Sequence, residues 1–167
     1  MVSYVLNHAW VYGTQTAVND GDQLGLFVYA NTIEYSDLYT WFDETTYKTD
    51  VNAENSFTVN GLSVMNSGPD SPVTAAPANA TVTVYDENGN VAEALGTKTD
   101  EHGQFKVTFP KDGKYTIEVS GTCTYTCSGY GGSGMNTYKD ATVVPTRCTV
   151  LVGTCLLYTS DAADDLI

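Results

Sequence analysis

The sequence predicts an all-β fold, an antiparallel β-sandwich, and three observations carry that expectation. Apolar and polar residues alternate with period two along most of the chain, the pattern of strands with one buried face. Turn signals built from Asn, Asp, Gly and Pro recur at about the 8–12-residue spacing of a sandwich. The composition, with 24 Thr, 12 Tyr and 15 Gly, suits pleated half-buried surfaces and turns better than helices.

Met1 to Tyr12 (VSYVLNHAWVY) reads as a first strand and Gln23 to Ala30 (QLGLFVYA) as a second, joined by the turn residues Asn19 to Asp22. Asp37 to Phe42 (DLYTWF) is a third, after the polar turn Thr32 to Ser36. Ser56 to Val64 alternates again, and Asn66 to Ala80 holds three of the five prolines and reads as a loop. Ala80 to Tyr85 (ATVTVY) is a strand, and Asp86 to Asn90 a turn with Asn88-Gly89 at its tip. Gln104 to Phe109 (QFKVTF) and Lys114 to Ser120 (KYTIEVS) are strands, preceded by turns at Asp100 to Gly103 and Lys111 to Gly113. Ser128 to Gly134 (SGYGGSG) cannot hold a regular element. Ala141 to Val152 (ATVVPTRCTVLV) closes the set, and Pro145, lacking an N–H, places that strand at an edge or breaks it. The total is about eight or nine short strands with no amphipathic helix of useful length.

The chain has 167 residues, room for one domain, expected over residues 1–153. Its formal net charge of −13 argues against nucleic acid or anionic membrane as a partner, since both would repel it. No apolar run approaches the ~20 residues of a membrane helix, so no direct membrane insertion is expected. The first ten residues (MVSYVLNHAW) have neither the basic region nor the apolar stretch of a signal peptide. Periodicity stops near Thr154. Cys155 to Asp165 (CLLYTSDAADD) resembles the translated read-through of a transposase-type sequencing adaptor. Residues 154–167 are therefore expected to be a non-native or disordered tail on a metagenomic fragment.

No Gly-x-Ser-x-Gly, His-Glu-x-x-His or Cys/His pairing occurs, so no catalytic residue is expected and the chain reads as a non-enzyme. The adjacent acids Asp43-Glu44 and Asp100-Glu101 read as solvated turn charge. No cofactor is expected. Calcium is the one candidate cation, because Asp86-x-Asn88-x-Asn90 opens like an EF-hand loop. That loop then fails at its sixth position (Val91) and its twelfth (Thr97). The acidic turn residues Asp20, Asp22, Asp37 and Asp43 form a weaker cation set.

Setting aside Cys155, three cysteines remain: Cys123, Cys127 and Cys148. On one strand Cys123 and Cys127 share a face about 13 Å apart, too far to bond each other. A disulfide from either one to Cys148 would tie the last two strands across the Gly-rich loop; alternatively all three are small buried hydrophobes. Both readings stand at the level of sequence. Ten of the 19 aromatic residues fall within the first 47 positions. Among them Trp10, Tyr12, Tyr39 and Trp41 are the candidate platform for a glycan or calcium-assisted ligand, with core packing as the competing use.

Ala80 to Gly121 carries the pattern A-x-V-x-V, a turn, T-D-x-x-G-x-F-x-V-x-F, then G-x-Y-x-I-x-V. It resembles the repeat body of immunoglobulin-like (Cna-B/transthyretin-like) sandwich domains on bacterial surface proteins. Asn19 to Asp43 is similar to the opening strands of such domains. The resemblance implies an extracellular, cell-surface structural or adhesion module, a stalk or spacer within a larger secreted or wall-attached bacterial protein. Its implied partners are neighbouring domains of the same polypeptide and a host or cell-wall glycan or protein. Some such modules form a Lys–Asn isopeptide cross-link. Here the opening strand has no Lys and the closing strand no Asn, so that cross-link is not expected.

Overall fold

The computed structural model describes residues 2–11, 16–68, 71–129 and 133–153. Among them are fourteen strands: β1 (Val2–Leu6), β2 (Ala9–Val11), β3 (Leu24–Val28), β4 (Leu38–Phe42), β5 (Thr46–Thr49), β6 (Glu54–Leu62) and β7 (Thr74–Ala75). The second half adds β8 (Thr81–Tyr85), β9 (Thr97–Lys98), β10 (Gln104–Thr108), β11 (Gly113–Ser120), β12 (Thr122–Ser128), β13 (Met135–Val144) and β14 (Thr146–Val152). Short 3-10 segments lie at Val64–Asn66 and Glu93–Leu95.

Two sheets form the sandwich. One runs β10-β6-β4-β13-β12, with β7 beside β6; the other runs β5-β14-β11-β8-β9. Each strand buries alternate side chains. Val82 and Val84 of β8 and Tyr115, Ile117 and Val119 of β11 face Phe57 and Val59 of β6 and Phe105 and Val107 of β10 in one core cluster. The period-two reading of Ala80 to Ser120 is therefore realised in the interior. Phe57 and Phe105 stack across β6 and β10 at 5.3 Å between ring centroids.

Three features depart from the sequence expectation. First, Met1 to Tyr12 is not one strand. Asn7 and His8 adopt positive φ (50° and 62°) and turn the chain between β1 and β2, as both central residues of a tight hairpin require. Second, β1, β2 and β3 form a separate small sheet, ordered β2-β1-β3, instead of joining the sandwich. Third, the sheets are mixed, because β13 pairs parallel to β4 and β14 parallel to β5. The chain leaves the six-stranded sheet after β4 to enter the five-stranded sheet as β5. It makes the same passage from β13 to β14 through Pro145, so the two crossings run side by side. Pro145 breaks the closing strand as expected, since a residue without an N–H cannot continue either ladder.

The turn at Asp100 to Gly103 fixes one end of β10. Asp100 accepts N–H bonds from His102 (2.9 Å) and Gln104 (2.8 Å), and the Gly103 carbonyl accepts the Val59 N–H at 2.9 Å. Gly103 has φ +72°, and an added Cβ would lie 2.6 Å from the Val59 carbonyl oxygen. Gly89 has φ +81° with open space around it. Gly103→Ala therefore combines backbone strain with a clash against backbone and lowers stability by about 2–4 kcal/mol. Gly89→Ala carries the strain alone, about 1 kcal/mol. Urea unfolding of both variants measures the difference, and equal losses would show that the close approach at Gly103 is not a constraint.

Candidate functional site

Three of the four aromatic residues singled out in the sequence, Trp10, Tyr39 and Trp41, converge where the small sheet meets the outer face of β4. Alternation along β4 sends Leu38 and Phe42 into the sandwich core and Tyr39 and Trp41 outward. The small sheet covers that outer face, so β4 is packed on both sides. Val5, Phe27, Tyr29, Leu62 and Val64 form a second buried cluster, and Trp10, Tyr39 and Trp41 pack half-buried against it. Tyr12 lies outside the described residues.

His8 stacks on Trp41 at 4.4 Å with the rings 7° from parallel. Phe27 stacks on Tyr39 at 5.9 Å, and the Tyr39 and Trp41 rings are 5.9 Å apart and tilted by 31°. The backbone of β3 comes close enough that a Cβ at Gly25 would sit 2.9 Å from the Tyr39 hydroxyl. These contacts occupy the ring faces that a sugar would need. Trp10, Tyr39 and Trp41 line a seam between two sheets, the packing use of the two that the sequence left open, because the small sheet fills the outer face of β4.

The loop from residue 30 to 37 supports this seam. The buried Asp37 carboxylate accepts the N–H groups of Ala30 and Asn31. Asn31 Oδ1 accepts those of Ile33 and Glu34, both at 3.0 Å. The Tyr125 hydroxyl donates to the Ser36 carbonyl at 2.9 Å, tying the loop to β12.

The carboxylates considered for a cation are spent on turns or scattered. Asp86 accepts N–H bonds from Asn88 (2.9 Å) and Asn90 (2.8 Å) and a side-chain bond from Asn90. Asp22 accepts from Asn7 and Asn19, and Asp43 accepts from Asn60 at 2.7 Å. Among the described residues no group of three or more His, Cys, Asp or Glu converges on one point.

Cys123, Cys127 and Cys148 are free thiols, each buried in the sandwich core. The bridge considered from sequence is not formed. Cys123 and Cys127 project inward from β12 on either side of Tyr125, and Cys148 projects inward from β14 in the facing sheet. Burial pushes the thiols of Cys123 and Cys148 up to about 12 and raises that of Cys127. They serve as small apolar fillers.

No family model matches the chain, and no curated protein matches it. Function must therefore be argued from the surfaces themselves. One open hollow lies on the outer face of the five-stranded sheet, lined by Tyr85, Asp86, Glu87, Lys114, Thr116 and Arg147.

The seam holds a half-buried titratable group, the imidazole of His8. His8 Nδ1 is buried and has no hydrogen-bond partner among the described residues. Burial lowers its pKa, a shift only partly opposed by the nearby Asp43 carboxylate. The unfolded chain then takes up a proton near pH 6.5 while the folded chain stays neutral, so stability falls as pH drops below about 6.5. The exposed carboxylates Asp22, Asp86 and Asp100 are held below the usual carboxylate range by turn hydrogen bonds and act only at more acidic pH. Unfolding midpoints at pH 8, 6.5 and 5.5 fall in that order for the wild type. His8→Asn tolerates the positive φ and flattens the dependence over the same range, whatever its baseline stability. An unchanged slope in the variant would assign the effect elsewhere.

Proposed function

We propose that this chain is a non-catalytic structural or adhesion module, a stalk or spacer within a larger secreted or wall-attached bacterial surface protein. Its working partners are the neighbouring domains of the same polypeptide. The observation that carries this reading is the outer face of the small sheet. Register places Val2 opposite Val28, Tyr4 opposite Leu26 and Leu6 opposite Leu24, with Val11 and Ala9 flanking Tyr4 and Leu6 from β2. Eight apolar side chains thus share one face turned away from the sandwich. Four of them are widely open: Val2 45%, Leu24 56%, Leu26 61% and Val28 63% exposed.

This continuous apolar surface supports the reading as a contact for a neighbouring domain. Two five-residue strands and the three-residue β2, spaced about 4.8 Å, make a face of roughly 200 Å². That is well short of the ~800 Å² per partner of a free-standing complex. It is enough for a neighbour joined by a linker, since tethering supplies a high effective concentration. The immunoglobulin-like pattern of Ala80 to Gly121 supports the same reading, because its apolar positions Val82, Val84, Phe105, Val107, Phe109, Tyr115, Ile117 and Val119 are the buried ones.

Amide hydrogen exchange compares the isolated chain with the full-length polypeptide. The amides of β1 to β3 exchange more slowly in the longer protein, and the double variant Leu24→Lys/Leu26→Lys removes that protection. In the isolated chain the same variant binds less hydrophobic dye and keeps its unfolding free energy within about 0.5 kcal/mol. Identical exchange in both contexts would end the proposal.

A further inference from the structure

The edges of the sheets are guarded unequally. β10 carries Lys106 at its centre, paired to Glu54, while β5 carries Lys48 and β9 carries Lys98. β12 is bridged at Thr124 by Ala78, which exchanges both backbone hydrogen bonds with it. β2 is only three residues long. Lysines, covering chain and short length are the usual defences of an exposed edge. β3, at one side of the small sheet, has none of them. Its five residues, LGLFV, sit within an uncharged run from Gln23 to Ile33 that holds no proline, and its register with β1 is unbroken.

Hydrogen-bond parity fixes what that edge presents. The two-residue turn Asn7-His8 closes on the pair Leu6 and Ala9. Leu6 and Tyr4 therefore turn their backbone groups toward β2, and Val5 and Ser3 turn theirs toward β3. Their partners on β3 are Gly25 and Phe27, and the Asn7 N–H, donated to the Gln23 carbonyl at 2.9 Å, keeps the same parity. The N–H and C=O groups of Leu24, Leu26 and Val28 thus point out of the edge, and no hydrogen bond engages them among the described residues. The row is finished at both ends. The Asp22 N–H donates to the Asn19 carbonyl at 3.2 Å, and the Ala30 N–H donates to the Asp37 carboxylate. Only the middle of the row is open.

We infer that this edge binds a second copy of the same chain, β3 against β3 in antiparallel register. The open row is self-complementary. A two-fold axis at Leu26 sets Leu26 against its counterpart and Leu24 against Val28 of the second copy, so every open N–H meets an open C=O. The side chains of Leu24, Leu26 and Val28, all widely exposed, then meet as apolar cross-strand pairs. Charge favours the same arrangement. Antiparallel pairing holds the two Asp22 side chains about 26 Å apart along the ladder, beyond the range at which salt screens them. Parallel pairing would bring them within about 5 Å. The two-fold contact consumes both β3 edges, so association stops at the dimer. It uses the edge and leaves the outer face to a neighbouring domain, so it stands apart from the stalk reading.

Sedimentation velocity of the whole chain tests this. The contact is small, so the expected dimer is weak, with a dissociation constant of about 0.2 mM or somewhat tighter. Between about 10 µM and about 1 mM protein, amide exchange at Leu24, Leu26 and Val28 slows at least about threefold, while Gly25 and Phe27, already bonded to β1, keep their rates. Two variants separate the edge from the apolar face. Leu26→Pro removes the central outward N–H without breaking a bond to β1 and weakens association at least about tenfold. Leu26→Thr keeps that N–H, loses the apolar side chain, and weakens association by less than about threefold. The exchange measurement on the wild type decides the matter even if the proline variant fails to fold. A monomer at about 1 mM, slowed exchange that falls elsewhere, or equal loss in the two variants would overturn the inference.

Discussion

Two chain segments change sheets together, and the rest of the structure is arranged around that passage. The β4–β5 and β13–β14 segments run parallel through the corner of the sandwich, pairing first in one sheet and then in the other. Thr40 Oγ1 donates to the Val144 carbonyl at 2.7 Å on one side of the corner. The Thr149 N–H donates to the Thr45 carbonyl at 2.9 Å on the other. Backbone polar groups buried at a sheet corner need partners, and each crossing supplies them for its neighbour. The crossing also sets which side chains point where. Leu38, Phe42, Ala141 and Val143 enter the sandwich, while Tyr39, Trp41 and Val144 become the floor on which the small sheet rests.

The small sheet, apolar on both faces, turns the sandwich into a partly three-layered body. Its inner face is spent on the aromatic seam, and its outer face remains open. A net charge of −13 spread over the other surfaces keeps such a molecule dispersed despite that face.

Period-two alternation was readable wherever one face is buried and the other wet. Val82 and Val84, Phe105 and Val107, and Tyr115 to Val119 declare their strands and their core positions without help. Pro145 likewise declares a break, because its missing N–H has a local consequence. Strands as short as β7 and β9 carry too few residues for any period to show. The parallel pairs were not legible because their partners lie about a hundred residues apart and parallel pairing leaves no local mark. The seam left a signal that alternation obscured. LYTWF in β4 is apolar at nearly every position, as strands covered on both faces are. The Asn7-His8 turn was hidden because it lacks the glycine of the usual two-residue hairpin signals, so VSYVLNHAWVY reads as one continuous strand.

The three cysteines sit on the two walls of one closed interior, Cys123 and Cys127 on one and Cys148 on the other. An alkylating reagent can reach none of them while the walls are together. The chain therefore carries a built-in clock for its own opening. The pace of modification at Cys148 relative to Cys123 reports which wall yields first.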